Sequence, residues 1–453
     1  MVDRIVNDSE RLGRTSRGAD GPVRVLVLGG YGLIGSAVLA RLREAGHAVT
    51  ALGRSTAAAQ RRFPDVSWIE RDIAGLCEAA AWRPLIAGFD VVVNCAGALQ
   101  DGPRDDVRAV QATAMRALFR ACADAGSLRV VQISAAGAAS DATTVFMRTK
   151  AEADAVLAGL DLDWTILRPG LVLAPTAYGG TALLRALASV PLVLPLPDHT
   201  GPIQTVHVDD VAVAVRLAVE GRVPARACYD LVEPEPHDLA EVVQALRGWL
   251  GYAPAPLLRV ARPLVRLAVA VGDGLGRLGW RSPLRRTAFA QVSAGVTGDP
   301  GPWSHASGQS LSGLAISLRR LPSTVQERWF GRLWLLKPVL VGGLSLFWIA
   351  SGFVGFARFD AAASVLTSRG VGNGIAQAAV TAGVGLDLIL GTAMLVRRTM
   401  PLAALGMVAT TVAYLAAGTV LTPDLWGDPL GPFVKTIPGA LLALVAVALA
   451  AER

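Results

Sequence analysis

The chain has 453 residues, 52% hydrophobic and only 17% charged. A soluble domain usually carries about 25% charged residues, so a disordered or heavily solvated protein is excluded and two apolar reservoirs are implied, a globular core and a membrane segment. The net charge of +7 is almost wholly arginine, since lysine occurs only as Lys150, Lys337 and Lys435; with Ala, Val, Leu and Gly abundant too, this speaks for genome composition and against a nucleic-acid partner.

The first twenty residues, MVDRIVNDSERLGRTSRGAD, lack the apolar run of a signal peptide. A disordered tail over 1–21 is expected, followed by a cytoplasmic domain. Cys77, Cys95, Cys122 and Cys228 form no CxxC pair, which argues against a zinc site or disulfide framework and for buried thiols in a reducing compartment. No metal is expected.

Between 22 and 252, short apolar runs alternate with helix-length segments: VRVLVLG (23–29), HAVTAL (47–52), VSWIE (66–70), DVVVNCAG (90–97), LRVVQIS (128–134) and DWTILRPG (163–170). Runs of this length, apolar on both faces and separated by crossover helices, predict an α/β fold with a doubly wound parallel sheet of the Rossmann type. After the first strand comes Gly29-Gly30-Tyr31-Gly32-Leu33-Ile34-Gly35, satisfying both GxGxxG and GxxGxxG immediately before a helical segment. In that context glycines permit a tight turn, close approach to a pyrophosphate and close helix packing, while the helix N-terminus supplies N–H donors. The second strand ends at Arg54-Ser55 instead of the acid that accepts from a ribose 2′-hydroxyl. A guanidinium pairs with a 2′-phosphate, so NADP(H) is favoured over NAD(H).

Over about 20–250 the sequence resembles the extended and atypical short-chain dehydrogenase/reductases. The resemblance rests on the glycine loop, Asp72 with Ile73 after the third strand, Asn94-Cys95-Ala96-Gly97 after the fourth, Ser134 after the fifth, Arg168-Pro169-Gly170 after the sixth, and the later His207-Val208-Asp209-Asp210-Val211. It implies that Asp72 lies near the adenine, and that Ile73, Cys95, Ala96, Gly97, Pro169 and Gly170 contribute to the cofactor site. Asp72 and Asp209 equally fit helix N-caps, and His207 fits a buried structural histidine.

The family's catalytic Ser, Tyr and Lys, the last two in a YxxxK helix, map onto Ser134, Phe146 and Lys150. Residues 146 and 150 share a helical face. By the resemblance Lys150 holds the nicotinamide ribose hydroxyls, but Phe146 has no proton to give, and loss of a positioned general acid costs on the order of 10²–10⁴ in rate. Ser134 either orients a substrate oxygen or caps the following helix.

Residues 253–333, where Pro, Gly and Arg recur among apolar stretches, read as a substrate lobe mixed with a basic amphipathic helix on lipid. From 334 to 453 four apolar stretches follow, at 334–356, 376–396, 401–421 and 433–450, each close to the ~20 residues that cross a bilayer. They predict an all-α four-helix transmembrane domain. Arg328, Arg332 and Lys337 before the first, Arg397 and Arg398 between the second and third, and Arg453 at the end outnumber Arg358, Arg369 and Lys435, which places both termini in the cytoplasm of a plasma-membrane protein.

Over 325–450 the chain resembles DoxX-like membrane modules, through Leu336-Lys337-Pro338, Phe347-Trp348, Ser351-Gly352, Asp387 within GLDLILGT, Asp428-Pro429-Leu430-Gly431-Pro432 and Lys435. An Asp at mid-span costs roughly 2.5–3.5 kcal/mol to insert, so Asp387 is expected to face the bundle, either in a polar site with Lys435 or Lys337 or in a helix-packing hydrogen bond. The sequence thus reads as a membrane-anchored NADP(H)-dependent oxidoreductase acting on a lipophilic substrate. The alternative is a non-catalytic NAD(P)-sensing or accessory protein coupled to its membrane domain.

Overall fold

The computed structural model of the protein describes residues 21–99, 101–102, 106–198, 200–280 and 286–450. The tail expected over 1–21 lies, but for its last residue, outside the described residues. The described chain forms two compact units, 21–271 with 286–324, and 272–280 with 325–450.

In the first unit the six expected strands all form: β1 (Arg24–Leu28), β2 (Ala48–Gly53), β3 (Ser67–Glu70), β4 (Val91–Asn94), β5 (Arg129–Ile133) and β6 (Asp163–Pro169). Three short strands follow, β7 (Leu171–Leu173), β8 (Leu194–Pro197) and β9 (Thr205–His207), then β10 (Ala227–Leu231) and β11 (Leu257–Val260). One parallel sheet of seven strands results, ordered β10-β6-β5-β4-β1-β2-β3. Its seventh member, β10, escaped the sequence reading because its ACYDL is interrupted by a charge; as an edge strand it needs no continuous apolar run.

The core lies on both faces of the sheet. Along β1, Val25 and Val27 join one cluster with the helices Leu33–Glu44 and Val208–Val219, while Leu26 and Leu28 join another with Trp82, Phe119 and Leu157. The period-2 alternation of side chains explains the uninterrupted apolar runs. The chain after 252 also enters this unit. Trp303 is buried edge-on against Tyr229, ring centroids 5.6 Å apart. The buried Glu233 carboxylate accepts from the Thr205 amide and hydroxyl, both at 2.6 Å, and from the Leu314 amide at 2.5 Å, with His237 Nε2 at 3.1 Å.

The cysteines depart from expectation. Cys122 is buried and Cys95 half-buried, but Cys77 and Cys228 are exposed, one in the loop after β3 and one on the edge strand β10. All four are free thiols.

The second unit is helical. Val325–Ala357, Asn373–Leu395 and Met400–Leu421 are long and apolar enough to cross a bilayer. The fourth expected span is a helix, Pro432–Leu449, whose apolar stretch Val434–Leu449 is shorter, so among the described residues three helices and not four are long and apolar enough to cross a bilayer. A short helix, Phe359–Thr367, links the first two. The first pair packs through glycines: a Cβ on Gly352 would stand 2.8 Å from the Leu388 side chain, and one on Gly355 2.9 Å from Val384. Small residues at such crossings let helices approach closely where lipid supplies no hydrophobic drive. At the same crossing Asp387 hydrogen-bonds Ser351, while Lys337 lies 5.6 Å from the centre of the Trp280 ring.

Candidate active site

Strand order in the main sheet reverses between β1 and β4. In parallel α/β sheets the carboxyl ends of the strands at such a point open a crevice for ligands, and here the glycine loop follows β1 while Cys95, Ala96 and Gly97 follow β4. Gly29 has φ +69°, and a Cβ there would stand 2.9 Å from Ala96 Cα, so both the turn and the approach of the two strand ends require glycine. A Cβ on Gly35 would collide with the Gly29 carbonyl oxygen, and one on Gly30 would press on Ala51 at 2.8 Å. These contacts fit the helix tightly to the turn.

Gly32 is the N-cap of the helix Leu33–Glu44, which has no side-chain cap and no acid in its first turn. Its leading N–H groups therefore point out with no intrahelical acceptor and no competing anion. A bare end of this kind suits a phosphate group. The Tyr31 ring lies against Gly53, stacks on Trp68 with centroids 6.2 Å apart, and its hydroxyl accepts from the Arg54 amide at 3.2 Å. Tyr31 thus ties the loop to the end of β2, where Arg54 and Ser55 are exposed. Glu70, at the end of β3 and opposite Gly53 in the ladder, is turned to Thr56, accepting from its amide at 3.0 Å and its hydroxyl at 2.8 Å; these bonds hold its carboxyl below the usual range. Asp72 caps the short helix Ile73–Gly75 by accepting from the Ala74 amide at 3.1 Å, and Ile73 is buried.

On the other side of the crevice, Lys150 sits in the helix Val145–Ala158, which Thr144 caps. Its buried ammonium donates to the Ile133 carbonyl at 2.7 Å and the Ala96 carbonyl at 3.5 Å. A Cβ on Gly97 would stand 3.5 Å from it. Burial pulls the lysine down to about 8, against the opposing pull of Asp154, and burial pushes the neighbouring Cys95 thiol up to about 12. Ser134 does not cap a helix. Its hydroxyl donates to Asp154 at 2.7 Å, and the same carboxylate oxygen accepts from Arg168 Nε and a terminal nitrogen at 3.1 and 3.0 Å. Burial drives the Asp154 carboxyl upward while Ser134 and Arg168 pull it down. Phe146 packs with Ala135, Ala138 and Met147 in an apolar patch.

Pro169 and Gly170 close the end of β6. The Pro169 carbonyl accepts from the Ala136 amide at 3.0 Å, and a Cβ on Gly170 would strike the Gln204 carbonyl oxygen, so this glycine serves a backbone crossing. His207 is buried at the end of β9; its Nδ1 accepts from the Asp209 amide at 3.1 Å and caps the helix Val208–Val219. The cap is therefore His207, not Asp209. The two acids behind it bind Arg320, Asp210 at 2.6 Å and Asp209 at 3.5 Å.

Two residues of the site were missed in the sequence. Asp154 stands one turn beyond Lys150, and that i,i+4 step could have marked it. Gln111 is buried in the π-helical turn Ala109–Thr113, donates to the Ala98 carbonyl and lies close to Gly97. Such turns interrupt helices at functional sites, but no local sequence signal announces this one.

Residues 29–188 match the NAD(P)H-binding family model and residues 345–445 the DoxX-like family model. The chain is 33% identical over 273 residues to a 3-diazoavenalumate denitrifying reductase of Streptomyces sp, an alignment covering 53% of this chain and 85% of that protein. It is 28% identical over 257 residues to a 2-alkyl-3-oxoalkanoate reductase of Stenotrophomonas maltophilia, covering 51% and 76%. Among solved structures, gox2253 shares the fold with a TM-score of 0.50 at 20% identity, over 68% of this chain and 98% of that one. The glycine cradle at the strand-order reversal, the buried lysine facing it and these matches lead to one assignment: the chain belongs to a family of NAD(P)-binding Rossmann-fold reductases, joined here to a C-terminal DoxX-like domain.

Proposed function

We propose that the protein is a membrane-anchored, NADP(H)-dependent oxidoreductase that reduces a lipophilic substrate, with its nucleotide-binding domain on the cytoplasmic side of the plasma membrane. The observation that carries this reading is Lys150, buried and hydrogen-bonded beneath Gly97 although its tyrosine partner is Phe146. A buried ammonium is costly to keep, and its retention fits a chain that still orients a nicotinamide ribose. Arg54 at the end of β2, with Glu70 occupied by Thr56, supports a 2′-phosphate and hence NADP(H).

A bound NADPH supplies the hydride. In this reading the residues 29–35 hold the pyrophosphate, Arg54 and Ser55 the 2′-phosphate, and Asp72 and Ile73 flank the adenine. Cys95 to Gly97 line the dinucleotide, Lys150 holds the ribose, and Pro169 and Gly170 bound the nicotinamide end. Ser134, fixed by Asp154, orients the group that accepts the hydride. Phe146 offers no proton, so the substrate, water or another group must supply one when a carbonyl is reduced. A reduction that expels nitrogen forms no alkoxide and makes no such demand. The alkyl chain in the name of one relative and the three apolar helices of this chain support a lipophilic substrate.

Phe146 also supports a second reading, a nucleotide-sensing or accessory protein without turnover. Purified full-length protein supplied with NADPH separates the two when screened against quinones, 3-oxo acyl compounds, aldehydes and diazo arenes. Turnover lost in Lys150→Met supports the oxidoreductase. No turnover in the native chain, with activity appearing only in Phe146→Tyr, supports the sensor.

A further inference from the structure

The helix Arg262–Arg277 carries three different faces. At about 100° per residue, Leu264, Leu267 and Val271 fall on one stripe, and they are 60%, 62% and 54% exposed. Arg262, Arg266 and Arg277 fall on the opposite side and are also exposed. Val269, Gly272 and Gly276, on a third stripe between them, are buried. A stripe of exposed leucines opposite arginines is unfavourable in water and is the pattern of a helix lying in a bilayer surface.

What covers the stripe is indicated by the end of the helix, which belongs to the membrane unit. The Leu278 carbonyl accepts from the Arg397 amide at 3.1 Å, and the Trp280 indole donates to the Leu395 carbonyl at 2.7 Å. The Lys337 ammonium stands 5.6 Å from the centre of the Trp280 ring. Leu395 ends one apolar helix and Met400 begins the next, with Arg397 and Arg398 between them. A paired arginine turn flanked by tryptophan marks the level at which hydrocarbon gives way to water. The helix therefore ends at that level.

We propose that the helix Arg262–Arg277 lies in the surface of the bilayer, with Leu264, Leu267 and Val271 among the acyl chains and its arginines in water. Helices of this kind sink about 5–10 Å into the headgroup and acyl boundary. The proposal rests on the reading of the C-terminal helices as membrane spans, and its test is built to fail separately from that reading.

The full-length chain, with Cys77→Ser and Cys228→Ser removing the exposed thiols, is reconstituted in phosphatidylcholine nanodiscs. It carries a bimane label at Leu264→Cys, Leu267→Cys or Val271→Cys, at Arg266→Cys for the opposite face, or at Leu346→Cys in the first span. Lipid-borne nitroxide is expected to quench labels at 264, 267 and 271 at least threefold more than at 266, with iodide showing the reverse order. Equal iodide access on both faces overturns the proposal, as does shielding of the stripe from both quenchers, which means protein covers it. If the label at 346 also escapes lipid quenching, the membrane reading falls too. Unmodified protein supplies a second measurement: a diazirine phospholipid should crosslink peptides within 262–277, and crosslinks confined to 325–450 overturn the assignment.

Discussion

Lys150 makes the stability of the nucleotide-binding unit depend on pH in the alkaline range. Its ammonium is almost fully buried, and burial brings it from 10.5 to about 8. At about 1.36 kcal/mol per pKa unit, holding the charge inside costs the fold about 3 kcal/mol. Below pH 8 the lysine is protonated in both folded and unfolded chains, and this cost is fully present. Between pH 8 and 10.5 the folded lysine releases its proton while the unfolded one keeps it, so stability rises with pH across that window. From pH 7 to 9.5 the gain is about 2 kcal/mol. Lys150→Met carries no such charge, and other titrating groups cancel in the comparison. Pulse proteolysis in urea at pH 7 and pH 9.5, scored on fragments of the nucleotide-binding unit in detergent-solubilised full-length protein, measures the difference. Native minus variant stability should rise by about 2 kcal/mol. A difference flat to within about 0.5 kcal/mol, the size of an ordinary surface effect, refutes the buried-ammonium argument.

Arg54→Ala should weaken NADPH binding by about tenfold, the scale of one charge-assisted hydrogen bond at an exposed site, and leave NADH unchanged; fluorescence titration decides, and a native tenfold preference for NADH removes the role given to Arg54. Asp154→Asn should cost about 3 kcal/mol, since Arg168 loses its buried counter-charge, and urea midpoints at pH 7 read the loss. Asp387→Asn keeps a partner for Ser351 and should leave detergent stability unchanged, whereas Asp387→Leu removes that partner and should lower the melting temperature of the bundle.

The inner strands of the sheet were legible because they are buried on both faces and so leave continuous apolar runs in the sequence. Its edge strand β10 was not, since an edge tolerates Cys228 and Asp230 among its residues. The glycine loop was readable residue by residue because steric need is local: Gly29 needs its positive φ and Gly35 its missing side chain wherever the helix goes. Networks assembled from several elements gave less away. Ser134, Asp154 and Arg168 come from a strand end, a helix and another strand, and nothing in their spacing announces the shared carboxylate oxygen. The fourth apolar stretch was counted as a span on composition, but Pro432 and the loop before it set the start of its helix and limit its length.

Glu233 ties together three stretches of chain that are far apart in sequence, around 205, 237 and 314. A soluble fragment ending soon after 252 has the appearance of a complete nucleotide-binding domain, yet it would leave this interior anion short of the Leu314 amide and Tyr229 without the Trp303 indole. Anyone excising the domain for crystallisation should cut beyond Leu321, where the last of its buried leucines is spent.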